Sequence, residues 1–234
     1  MPDQASSMNS CESAYSSVLK RIEAAASAAG RPGGVRLLAV SKTKPAAAIR
    51  ELASLGQAAF GENYVQEATA KMSELDDPRL EWHAIGPLQS NKCRDVARRF
   101  DWLQTLDRRK LVTPLAENRP DHRDPLNILI QVNIDDEASK SGCAPTEIDA
   151  LADAIRTEPR LKLRGLMAIP APLPDPVRRR DAFARMRGLF DALAAGDASI
   201  DTLSMGMSDD FELAIAEGAT MVRIGSALFG ARVH

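Results

Sequence analysis

The sequence predicts an α/β fold: a single (β/α)8 barrel of the TIM type with an extra N-terminal helix. Three observations predict it. Short apolar runs alternate with longer amphipathic segments along the 234 residues. The runs are continuous in apolarity, which suits strands buried on both faces of a parallel sheet. About eight of them fit into a chain of roughly the length of one closed barrel.

The elements follow in order. Val18, Ile22, Ala25, Ala26 and Ala29 recur at helical spacing, and Gly30, Pro32 and Gly33 stop that helix. Residues 1–33 thus form a leading helix and 34–234 the barrel. Strands are expected at 35–41, 58–61, 82–85, 102–105, 127–132, 164–168, 202–205 and 221–224. Helices are expected between them, among them 45–55, 91–99, 145–156, 176–193 and 210–217. The rival arrangement is an open doubly wound sheet. A GxGxxG turn after the first strand would favour it, but Ser41-Lys42-Thr43-Lys44-Pro45 follows Val40 instead. The Pro-rich stretch 171–176 is short and reads as a loop, so a single domain spanning 1–234 is expected.

Composition narrows the classes of function. Hydrophobic residues at 44% and charged residues at 26% are ordinary for a soluble globular protein. Thirty basic against 32 acidic residues leave a net charge of -2, so no global field points to nucleic acid or membrane. Residues 1–9 have no apolar core and include Asp3, which argues against a secretory signal. The longest apolar stretches, 37–40 and 128–130, are too short to span a bilayer. Cys11, Cys93 and Cys143 lie far apart without CxxC spacing. Such a set reads as reduced thiols in a cytoplasm. No His/Cys/Asp/Glu cluster has metal-ligand spacing, so no metal is expected.

Functional side chains of β/α barrels gather where strands end. Lys42 ends the first run. Burial there would disfavour its ammonium form and make the amine a better nucleophile toward an aldehyde. Lys44 is a near-equal rival on position alone, and a solvated lysine is the plainer reading of either. Asn63, after the second run, can donate to a ligand oxygen or cap the next helix. His83 alternates with Trp82, so one of the two faces the barrel interior. A lone histidine beside Trp is more often a packed core residue than a ligand. His122 and His234 sit in a charged loop and at the terminus. The seventh run leads through Met205 and Gly206 to Ser208, and the eighth through Arg223 to Gly225 and Ser226. Both turns offer hydroxyls, small residues and amides at the usual phosphate cradle of such barrels. Each glycine alone reads as an ordinary turn. Arg178, Arg179 and Arg180, like Arg94, Arg98 and Arg99, read as solvated helix faces. Met167, Met205, Met207 and Met221 read as core or pocket lining.

The residues quoted so far resemble the pyridoxal-phosphate homeostasis proteins. The matching segments are LLAVSKTKP (37–45), FGENYVQE (60–67), EWHAIGPLQSNK (81–92), RGLMAIP (164–170), LSMGMSDD (203–210) and MVRIGSALFGAR (221–232). The resemblance implies a barrel like the N-terminal domain of bacterial alanine racemase. It implies pyridoxal 5′-phosphate (PLP) held as a Schiff base on Lys42, which decides between Lys42 and Lys44. By the same resemblance Ser208, Gly225 and Ser226 bind the phosphate, Asn63 lines the cofactor and Arg223 lies against the pyridine nitrogen. His83 and Met205 are counted with this cofactor-binding set, and no residue is assigned as catalytic. The family often has Thr where Ser226 stands, and either hydroxyl can bond a phosphate.

The implied role is intracellular vitamin B6 homeostasis without robust turnover, in a cytoplasmic monomer, with PLP-dependent apo-enzymes as receivers. The alternative is a low-activity amino-acid racemase, and a blander option is a phosphate-binding barrel without PLP. A guanidinium beside the ring nitrogen disfavours its protonation and weakens the ring as an electron sink, which argues against transaminase-type chemistry. Racemisation needs acid–base groups on both faces of the cofactor. In the racemase the second is a tyrosine of a separate C-terminal domain, whereas this chain offers Tyr15 and Tyr64 and ends at His234. No second base is therefore expected.

Overall fold

The computed structural model describes residues 3–137, 141–171 and 175–230, with side chains described from Ser10 onward. His234, Arg232 and residues 172–174 of the Pro-rich loop lie outside the described residues. Eight parallel strands close into a barrel in sequence order: β1 (Arg36–Val40), β2 (Ala59–Glu62), β3 (Glu81–Ala84), β4 (Trp102–Leu106), β5 (Leu126–Gln131), β6 (Leu161–Met167), β7 (Thr202–Ser204) and β8 (Met221–Ile224). The ring closes where β1 pairs with β8, setting Leu38 opposite Arg223. The helices are α1 (Asp3–Ala28), α2 (Ala46–Ser54), α3 (Val65–Leu75), α4 (Cys93–Arg99), α5 (Val112–Asn118), α6 (Ile148–Arg156), α7 (Pro176–Ala194), α8 (Phe211–Ala216) and α9 (Ser226–Phe229). This is the expected (β/α)8 barrel with a leading helix.

Strand alternation divides the core into two regions. Leu37, Ala39, Phe60, Leu103, Ile128, Leu203 and Val222 share one large core with the helices. The opposite faces fill the barrel: Leu38, Ala59, Ile85 and Met221 form one interior cluster, and Trp102, Leu129 and Met167 another. Continuous apolar runs are thus explained, because successive residues point to two different but equally dry places. Fully burying one such side chain contributes about 1.5–3 kcal/mol.

The leading helix buries Val18, Ile22 and Ala26, which are four residues apart and lie on one face. Arg21 pairs with Glu212 at 2.6 Å. Just past the helix end, Arg31 donates to the carbonyls of Ile215 and Ala219. The helix therefore packs onto α8, beside the β8–β1 seam.

Three elements differ from expectation. β6 begins at Leu161, upstream of the expected start at 164. Lys162 and Arg164 alternate with leucines there, so the early part of the strand is half polar. Neither α3 nor α5 is marked by the apolar pattern. In α3 the buried positions are Ala68 and Lys71, so a lysine stands where the stripe calls for an apolar residue. α5 is only seven residues long and carries Pro114 in its first turn.

Among the described residues no helix is long and apolar enough to cross a membrane, and no group of three or more His, Cys, Asp or Glu is placed to hold a metal ion. The three cysteines are free thiols. Burial pushes all three upward, Cys143 to about 12.

Candidate functional site

A cavity of 280 Å³ opens at the C-terminal ends of the strands. It is lined by Val40, Lys42, Thr43, Lys44, Asn63, Ile85, Ile169, Met207, Ser208, Asp209, Arg223, Gly225, Ser226 and Gly230. Strand parity explains Lys42. Leu38 and Val40 belong to the interior cluster, so Lys42 falls on the same side and Ser41 on the other. Lys44 reaches the cavity wall too, but its Nζ donates to the Phe229 carbonyl at 2.9 Å and so ties this loop to α9. Asn63 is held beside Gly86. A Cβ at residue 86 would stand 2.2 Å from the Asn63 carbonyl oxygen, so only glycine permits this approach.

The far side of the cavity is made by the turns after β7 and β8. Gly206 has φ +92, and a Cβ there would lie 2.6 Å from the Ala214 Cβ. Asp210 Oδ1 accepts from the Met207 amide at 2.7 Å and closes the turn that presents Ser208. Among the described residues the Ser208 and Ser226 hydroxyls make no hydrogen bond to protein groups, and the Ser226 and Ala227 amides donate to none. Ser208 and Ser226 both line the cavity, so their hydroxyls and the Ser226 amide, all able to donate, stand on its wall. That donor set is the chemistry of a phosphate cradle.

Arg223 forms the floor. It is 4% exposed, and its guanidinium donates to Ser204 Oγ and to the Ala168 carbonyl, each at 2.8 Å. Burial pulls it down to about 10, against the opposing influence of Asp210, so it stays protonated at pH 7. No carboxylate among the described residues lies within ion-pair distance of it. Ser204 Oγ in turn donates to Gln104 Oε1 at 2.7 Å. Gln104 Nε2 donates to His83 Nδ1 at 2.9 Å, and His83 Nε2 donates to Glu81 Oε1 at 2.7 Å. Glu81 also accepts from Arg36. These directions require the neutral His83 tautomer with its proton on Nε2. Burial acts the same way, lowering the His83 pKa despite the attraction of Glu81. The imidazole is stacked on Trp102, with centroids 5.1 Å apart.

The structure brings Lys42, Asn63, Ser208, Arg223, Gly225 and Ser226 to one cavity and leaves His83 and Met205 out of its lining. His83 is fully buried in the barrel, its ring turned toward Glu81 at the opposite end of β3. Met205 is fully buried in the helix-side core, because alternation after the inward Ser204 turns it outward. Ile85, Ile169, Met207 and Asp209 also line the cavity. Met207 is among the methionines read as core or pocket lining. For Ile85, Ile169 and Asp209, which were missed, the signal in the sequence was position alone, just past the ends of β3, β6 and β7. Gln104 and Ser204 were missed as well. Each is a polar residue inside an apolar run, and that was the available signal.

A barrel with a lysine after its first strand and an anion-type cradle after its last two defines a class of alanine racemase-like barrels. Residues 15–233 match the family model described as alanine racemase, N-terminal domain. The chain belongs to this family, and within it to the pyridoxal phosphate homeostasis proteins. It is similar to the pyridoxal phosphate homeostasis protein of Pseudomonas aeruginosa, with 57% identity over 216 residues, covering 92% of this chain and 93% of the relative. It is 54% identical over 229 residues to the protein of that name from Escherichia coli, covering 96% and 98% of the two chains. Among solved structures it resembles PipY of Synechococcus elongatus with PLP bound, at a TM-score of 0.82 and 36% identity, covering 94% of this chain and 100% of that one.

Proposed function

We propose that this chain binds PLP as a Schiff base on Lys42 and serves intracellular PLP homeostasis, without robust catalysis. The convergence of Lys42, Arg223 and the Ser208/Ser226 donor set on one cavity carries the reading. The names of the relatives and the PLP-bound PipY structure support it. When bound, PLP supplies an aldehyde that a deprotonated primary amine converts to a Schiff base with release of one water.

The residues divide the work. Ser208, Ser226 and the amides of the Gly225 turn take the phosphate. Arg223 faces the pyridine nitrogen and, being positive, disfavours a proton there. Asn63 lines the ring. His83 acts from beneath, through Gln104 and Ser204, on the direction of the Arg223 guanidinium. Met205 packs behind the Gly206 turn. Lys42 holds the aldehyde carbon, while Lys44 stays bonded to Phe229.

The titratable groups among the described lining residues are Lys42, Lys44, Asp209 and Arg223. Tyr64 is 59% exposed and outside that lining. With Lys44 held on the Phe229 carbonyl and no tyrosine or histidine in that described lining, this composition supports a holder of PLP over a racemase whose second base is a tyrosine. The same reading takes residues 1–234 as one working domain, a cytoplasmic monomer that passes PLP to apo-enzymes.

Two measurements test it. PLP-loaded protein should absorb at roughly 420 nm, and the band should vanish in Lys42→Ala and persist in Lys44→Ala. Persistence in Lys42→Ala refutes the assignment. Incubation with L-amino acids in D2O should give slow or no α-proton exchange. Rapid exchange, or accumulation of D-isomers, establishes the racemase instead.

A further inference from the structure

Behind the cavity wall, between β1, β2 and α3, lies a buried charged cluster that the cofactor reading does not use. Lys71 of α3 is its centre, with a side chain 8% exposed. Its ammonium group donates to the Ser41 carbonyl at 2.9 Å, to Glu62 Oε1 at 2.7 Å and to Glu67 Oε1 at 2.6 Å. Every N–H of the group is thereby used. Glu67 Oε1 also accepts from the Thr43 amide at 2.6 Å, and Glu62 Oε1 accepts from the Ser41 hydroxyl at 2.6 Å.

The placement relative to Lys42 is specific. Ser41 supplies the carbonyl of the peptide before Lys42, and Thr43 supplies the amide of the peptide after it. Both peptide groups are anchored to one ion cluster, directly by Lys71 on one side and through Glu67 on the other. Thr43 is held at φ +64, a left-handed conformation that a β-branched residue rarely adopts. A strained residue of that kind persists where its surroundings impose it, and here two bonds do so. The Lys44 amide donates back to the Ser41 carbonyl at 3.0 Å and closes the turn, and Glu67 holds the Thr43 amide within it. Parity completes the arrangement: Ser41 and Glu62 turn toward the helices, while Lys42 and Asn63 turn into the cavity.

A purely stabilising role is a weak explanation of such a cluster. Replacing a buried ion pair by well-packed apolar residues is often neutral or stabilising. Lys71 also stands in the stripe of α3 where an apolar residue would serve the core. What an apolar residue lacks is the second donor for the Ser41 carbonyl, which also accepts from the Lys44 amide at 3.0 Å, and a counter-charge that keeps Glu67 on the Thr43 amide.

We infer that Lys71 is the positioning residue of Lys42: with Glu62 and Glu67 it fixes both peptide groups flanking Lys42, so that the amine meets the cofactor aldehyde in reactive orientation. The inference rests on the Schiff-base reading of Lys42. The bond-forming step is unchanged: the amine adds to the aldehyde carbon, and one water leaves as C=N forms. Lys71 touches neither reactant.

The test separates orientation from binding. Pyridoxine 5′-phosphate carries an alcohol in place of the aldehyde, so it reports the phosphate and ring contacts alone. In Lys71→Met the rate of Schiff-base formation, followed by absorbance, should fall by about tenfold or more, since misplacing a reacting group by even 1 Å costs on that scale or above. Borohydride-trapped label on Lys42 should fall with it, while the Kd for pyridoxine 5′-phosphate stays within about threefold of wild type. Should Lys71→Met fail to fold, Glu67→Ala decides by the same two readouts, because the Glu67 side chain is partly exposed and Lys71 keeps its other two acceptors. A variant that forms the Schiff base at the wild-type rate overturns the inference. So does a parallel loss of Schiff base and pyridoxine 5′-phosphate binding, the mark of a merely structural role. Wild-type protein that binds pyridoxine 5′-phosphate but forms no Schiff base with PLP instead overturns the Lys42 reading, and this inference with it.

Discussion

Replacing Gln104 by Leu perturbs the chain of hydrogen bonds that runs beneath the cavity. Gln104 is fully buried and joins Ser204 Oγ to His83 Nδ1. Leucine fills similar space but leaves two buried groups unmatched, the Ser204 O–H and the His83 Nδ1 lone pair. An orphaned buried group costs about 1–3 kcal/mol, offset in part because the amide itself no longer has to be desolvated. The expected loss is roughly 2–4 kcal/mol. For a domain of this size each kcal/mol moves Tm by about 2–4 °C. Thermal unfolding of PLP-free protein, followed by circular dichroism, should therefore show Tm lower by roughly 4–16 °C. Adding Ser204→Ala removes one of the orphans, so the double variant should lose clearly less than the sum of the two single losses. A Tm within about 1 °C of wild type, or strict additivity in the double variant, would refute the hydrogen-bond chain.

Other predictions follow from the same geometry. His83 is held neutral, with its native pKa below the unfolded value of roughly 6.5; below that pH the unfolded chain takes up a proton that the native state refuses. Stability should fall between pH 6.5 and 5 by up to about 1.4 kcal/mol per pH unit, and urea midpoints of His83→Gln should lack this component; equal slopes in both proteins would count against a neutral buried His83. Gly86→Ala drives a Cβ into the Asn63 carbonyl and should destabilise by about 1–3 kcal/mol while weakening PLP binding, both measurable by denaturant titration and cofactor titration. Ser208→Ala removes one cradle donor, worth about 1 kcal/mol or fivefold in the Kd for PLP, and the Ki of inorganic phosphate should rise by a similar factor. An unchanged Kd would remove Ser208 from the phosphate site.

The barrel was legible because its strands are dry on both faces. Leu37 to Val40 reads as one run precisely where Leu37 and Ala39 face the helices and Leu38 and Val40 face the interior. Lys42, Ser208, Gly225 and Ser226 stood out as strand-end candidates for a related reason, since a polar or small residue after a buried run marks a strand end. Position left Lys44 a near-equal rival and each glycine an ordinary turn, and only the family resemblance singled them out. The rest depended on partners that only the fold brings into place, most of them far away in sequence. Nothing around His83 says that Glu81 and Gln104 will hold its ring below the cavity, and parity alone left Trp82 as an equal choice. Gln104 and Ser204 are 100 residues apart and meet only when the barrel closes. α3 was hidden by the same residue that gives it meaning, because Lys71 interrupts the apolar stripe to reach Ser41, Glu62 and Glu67.

The central claim is that Lys42 is the amine that holds PLP. Borohydride reduction of the PLP-loaded protein, followed by peptide mapping with mass spectrometry, tests it most directly. The phosphopyridoxyl label should fall on Lys42, with Lys44 unlabelled. Label on Lys44, or no covalent label at saturating PLP, would contradict the account.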